Sequence, residues 1–125
     1  MSPTQIRSHD ELLTLARKVE AAAADADRDR LEAASLRLYG ALLDHVDNER
    51  PDLQRLPPTE TRLLTRGQQR VLDEIAELAA RSHTPGPCQC AARAADVLAR
   101  LYLQAADERL ALAHLRSDGG SSLPE

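Results

Sequence analysis

Phenylalanine and tryptophan are absent from this chain of 125 residues, and Tyr39 and Tyr102 are its only aromatics. Any core must then be built from aliphatic side chains, here carried by strong helix formers, because alanine, leucine and arginine dominate the sequence. Only two cysteines occur, Cys88 and Cys90, which is too few for a disulfide framework. Lys18 is the sole lysine, and 16 basic against 20 acidic residues leave a net charge of -4, so there is no electrostatic footprint for nucleic acid. No stretch of 18 or more apolar residues is present to span a membrane, and the first five residues lack the basic-then-apolar order of a secretory signal. The cytoplasm is therefore the expected location. Phosphate-cradling glycine loops, a G-x-S-x-G elbow and a C-x2-C pair are also missing. Composition and length point to one mildly acidic all-α domain.

What is present is helical periodicity in four segments. The first runs from Ser8 to Asp25, opened by a capping box in which Ser8 and Glu11 can satisfy each other's backbone N–H groups. Its inward stripe is His9, Leu12, Ala16, Val19 and Ala23. The second spans Asp29 to Arg50 and is expected to stop at Pro51, which disfavours helix in the residue before it. The third covers Thr59 to Arg81, with Leu64, Gln68, Val71, Ile75 and Leu78 inward. The fourth runs from Cys90 to Arg116, with Ala94, Val97, Leu101, Gln104, Glu108, Ala111 and Leu115 inward. Residues 1–7 form an N-terminal extension, 8–116 the bundle, and 117–125, rich in Ser and Gly, a flexible tail. Four such segments with short connections predict an up-down-up-down antiparallel four-helix bundle.

The second segment carries the main chemical signal. Leu31, Ser35, Leu38, Leu42, His45 and Glu49 follow one another in steps of 4, 3, 4, 3 and 4, so one helix face ends in a His and a Glu one turn apart. A buried imidazole and carboxylate are costly unless hydrogen-bonded or bound to metal. In the predicted topology His9, His45, Glu49, Gln68, Gln69, Gln104 and Glu108 all fall toward the same end of the bundle. They define an interior polar layer, and His with carboxylate suits iron, manganese or zinc.

These residues resemble the hemerythrin, or HHE cation-binding, family over Ser8 to Leu115. The early histidine, the H-x3-E on the second helix and the late acid on the fourth carry the resemblance. It implies a non-haem iron site within a four-helix bundle, with His9 as the first-helix histidine, and His45 and Glu49 as the second-helix histidine and bridging glutamate. The sequence departs from the family pattern on the last two helices. The stretch Thr65–Gln69 contains no histidine, Gln104 stands where one is expected, and Arg109 takes a usual carboxylate position. The implied ligand set of His9, His45, Glu49 and Glu108 suits a single metal ion, iron or similar, more than a dinuclear centre, and it argues against reversible oxygen binding. A metal-free polar network is an open alternative, because Gln keeps the hydrogen-bonding capacity of His. Such a bundle would serve as a protein-interaction or homodimerisation module. A second apolar ridge of Leu63, Leu72 and Ala79 on the third helix would favour that alternative. A further alternative lies in Cys88 and Cys90, which open the fourth helix, where the macrodipole favours thiolate. With His83 they define a candidate zinc or redox site. No catalytic residues are expected, and the chain reads more as a binding protein than as an enzyme.

Overall fold

The computed structural model describes the backbone of residues 3–83 and 90–121, and the side chains of 10–83 and 91–114. Four helices follow in chain order: α1 (Pro3–Ala24), α2 (Arg28–Leu53), α3 (Pro58–Ala80) and α4 (Cys90–Ser121). No strand occurs among the described residues. Each helix packs against its neighbours in sequence, and α1 also packs against α4, so the four enclose a common interior. No described helix is long and apolar enough to cross a membrane.

Local chemistry sets the helix ends, and several differ from the periodicity. Helix α1 begins at Pro3, ahead of the Ser8 box, because proline is well tolerated in a first helical turn, where its missing N–H has no intrahelical partner. It closes through Ala26, which adopts φ 54°, while Asp27 N–H donates back to the Ala22 carbonyl at 3.1 Å. Asp27 then caps α2 by accepting from the Arg30 backbone N–H at 3.1 Å. Helix α2 does not stop at Pro51 but continues to Leu53. Pro51 forgoes the bond to the Asp47 carbonyl and crowds it, a cost met in the last turn, where continuation buries Leu53 at 3% exposure. Helix α3 starts one residue ahead of Thr59. Pro57 and Pro58 start that helix without a side-chain cap, and Thr61 Oγ1 donates to the Leu53 carbonyl at 2.7 Å, tying the end of α2 to the start of α3. Helix α4 extends past Arg116 to Ser121, because Gly119 and Gly120 weaken a helix without breaking it.

The interior follows the stripes closely. Leu12, Ala16, Val19, Leu31, Leu38, Leu42, Val71, Ile75, Leu78, Ala94, Val97 and Leu101 join in one aliphatic core, to which α4 adds Leu98. A smaller cluster of Leu53, Leu56, Leu64 and Leu112 forms separately. Buried polar residues belong to neither cluster: His45, Glu49, Gln68 and Glu108 are each at most 3% exposed.

A buried His, Glu and Glu cluster as candidate metal site

Helix α2 supplies the first two groups. Because Leu38 and Leu42 face the core, His45 and Glu49 are carried inward on the same stripe, to 2% and 1% exposure. His45 Nε2 lies 2.7 Å from Glu49 Oε2. This approach lacks the alignment of a hydrogen bond, and Glu49 Oε2 has no hydrogen-bond partner among the described residues. A buried carboxylate oxygen without a hydrogen bond is compensated only by charge beside it, here the His45 imidazole when protonated, or a bound cation.

Helix α4 brings the third group. Glu108 is 2% exposed, and one atom each of His45, Glu49 and Glu108 form a set lying within 4.8 Å of one another. Its carboxyl is pushed up to about 8, first by burial and next by the negative charge of Glu49, with a hydrogen bond shared between the two carboxyls acting in the same direction. The Gln68 and Gln104 amides pull the other way. Gln68 Nε2 donates to Glu108 Oε1 at 2.6 Å, across from α3 to α4. The metal-free cluster thus holds a carboxyl proton at neutral pH.

Gln104 owes its position to a glycine. Its amide lies over Gly67 and donates to the Leu64 carbonyl at 2.9 Å, and a Cβ at position 67 would occupy the space of that amide. Gly67 is a weak helix residue whose value here is this close approach. Between α2 and α3 a groove of about 210 Å³, edged by Arg50, Thr61 and Thr65, includes Gln68 in its wall. Gln68 therefore borders the groove while its amide is bonded to Glu108.

The remaining sequence candidates are placed elsewhere. Gln69 is exposed and donates to Asp73 at 2.8 Å on its own helix, so it is not part of the polar layer; one residue of helical rotation turns it away from Gln68. His83 is about half exposed beside Asp29 and Glu32, at 3.4 and 3.3 Å. Cys88 lies outside the described residues, and of Cys90 only the backbone, at the head of α4, is described. His9 is on α1, and its side chain is likewise outside the described residues. What the stripes did not reveal is the missing partner of Glu49 Oε2 or the reach of Gln104 over Gly67; the glycine among long side chains was the available signal for the latter.

One imidazole and two carboxylates suit a single divalent cation, since two negative charges balance it and His with carboxylate serves iron, manganese and zinc alike. Donors held about 2.1 Å from such an ion stand ~3–4 Å apart, a spacing that falls inside the 4.8 Å within which the three groups lie. Comparison with known proteins finds no matching family model, no similar curated protein and no similar solved structure. The protein is thus defined by its own geometry, as a four-helix all-α protein with a buried His/Glu/Glu cluster.

Proposed function

We propose that this protein is a metal-binding antiparallel up-down-up-down bundle that holds one divalent ion, iron or a similar metal, between His45, Glu49 and Glu108. The observation that carries this reading is the convergence of three buried ligand groups from two helices, with His45 Nε2 2.7 Å from Glu49 Oε2, an oxygen that has no hydrogen bond among the described residues. Short connections and contacts of each helix with its sequence neighbours support the antiparallel order. The hemerythrin-like resemblance is part of the same proposal and rests on the position of His45 and Glu49 and of the late acid Glu108. Three protein ligands leave coordination positions open, and Gln68 and Gln104 border the cluster as neutral hydrogen-bonding groups.

The test is metal content of the purified protein by elemental mass spectrometry, after anaerobic loading with Fe(II) and, separately, with Zn(II). About one equivalent in the wild type, lost in both His45→Ala and Glu49→Gln, is expected. Folded protein without metal under both loadings would overturn the reading.

A second reading has its own support. Glu108 is neutral near pH 7 and accepts from Gln68 at 2.6 Å, so a metal-free network of shared hydrogen bonds can also satisfy much of the layer. In that case the site is structural, and the function lies on the surface of the bundle.

A further inference from the structure

Helix α4 carries a second apolar stripe on the face opposite Glu108. Ala99, Leu103, Ala106, Leu110 and Ala113 follow in steps of 4, 3, 4 and 3, and all are exposed, Leu103 at 65% and Leu110 at 61%. That spacing is the seam of a two-helix coiled coil, and a fully solvated seam has no use within one chain. The ridge expected on α3 is not the source of this surface, since Leu72 and Ala79 are buried; only Leu63, at 62% exposure, stands out beside α4. Leu63 and Leu110 line a common apolar groove between the two helices, of about 320 Å³.

We propose that this seam pairs with the same seam of a second copy of the chain, antiparallel, about a twofold axis between Gln104 and Ala105. The alternation of large and small residues selects the partner. In that register Leu103 meets Ala106 of the second copy, and Ala99 meets Leu110, so every large side chain faces a small one, and the twofold axis repeats each layer. A parallel pair would set Leu against Leu and Ala against Ala, leaving alternate layers overfilled and empty. Charge agrees with the antiparallel register. Arg100 and Asp107 flank the seam, and the axis brings Arg100 of one copy beside Asp107 of the other, twice. Arg100 also pairs with Glu74 on α3 of its own copy.

The decisive experiment is mass in solution by light scattering at protein concentrations from ~1 µM to ~1 mM, with reciprocal size swaps; the range spans the weak association expected of a small interface. The wild type should pass from monomer to dimer. Leu103→Ala, which empties the Leu–Ala layers, and Ala106→Leu, which overfills them, should each weaken association at least tenfold, and the double variant Leu103→Ala/Ala106→Leu should restore it. Leu36→Glu, at an exposed leucine of α2, should leave the dimer intact. All three positions are exposed, so circular dichroism should show unchanged helix content. A wild type that stays monomeric to ~1 mM, tighter association of Ala106→Leu, or loss of the dimer in Leu36→Glu would overturn the proposal.

Discussion

Among the described residues, Glu108 departs far from the ordinary behaviour of a carboxyl. Its folded-state value of about 8 stands well above the usual 4.5. Between those two values the folded protein keeps a proton that the unfolded chain gives up. The stabilising contribution is complete below about pH 4.5 and is lost as pH rises toward 8. The metal-free protein should therefore lose stability across this window, with a limiting slope of about 1.4 kcal/mol per pH unit from this group. Urea unfolding at several pH values checks it, and Glu108→Gln should flatten that part of the profile. Ser35 offers a simpler case. It sits on the α2 stripe at 0% exposure with no hydrogen-bond partner for its Oγ among the described residues, and Ser35→Ala removes a buried hydroxyl that has lost its water. The variant should be more stable by about 1 kcal/mol, seen as a higher urea midpoint with unchanged slope.

At the scale of the element, the joints between helices show where sequence patterns mislead. Pro51 reads as a stop, yet α2 carries on to Leu53, because burying Leu53 and closing the link from Thr61 to its carbonyl outweigh one lost backbone donor. Pro3 likewise begins a helix rather than preceding one. The α1–α2 joint depends on Ala26 in the left-handed region, where a Cβ is disfavoured and glycine is not. Ala26→Gly is expected to raise stability by about 0.5–1 kcal/mol, after its greater freedom in the unfolded chain is deducted, as measured by thermal or urea unfolding. The stripes were more legible than the ends. All six positions read from Leu31 to Glu49 are buried, since a 4–3 spacing fixes a helix face regardless of where the helix stops.

For the whole molecule, metal binding and folding are linked through the same cluster. An ion in the proposed site binds only the folded protein, and at a free concentration one hundred times its Kd it adds about 2.7 kcal/mol to stability. It must also displace the Glu108 proton, so affinity should rise with pH up to about 8, with release of up to one proton per ion at neutral pH from this group. Thermal melts of the wild type with and without Zn(II) at pH 6 and 8 should show the larger shift at pH 8, and none in His45→Ala. A shift independent of pH would argue that Glu108 is not a ligand. The polar layer accounts for the division of the interior: buried charge and amides interrupt what would otherwise be one aliphatic core, leaving Leu53, Leu56, Leu64 and Leu112 as a separate cluster.

The sequence by itself determined that the chain is helical, which face of each helix is inward, and that His45, Glu49, Gln68 and Glu108 lie on those faces, because side-chain periodicity and helix propensity act within one helix and need no partner. Tertiary structure alone decided the rest. Gln68 and Glu108 are 40 positions apart yet hydrogen-bonded, Gln69 is turned away from its neighbour's site, Gly67 serves the reach of Gln104, and Glu49 Oε2 faces His45 with no hydrogen bond among the described residues. The proton affinity of Glu108 is likewise a property of the packed interior. Burial and the approach of two carboxylates depend on distances between helices, and those are fixed only when all the aliphatic faces are buried together.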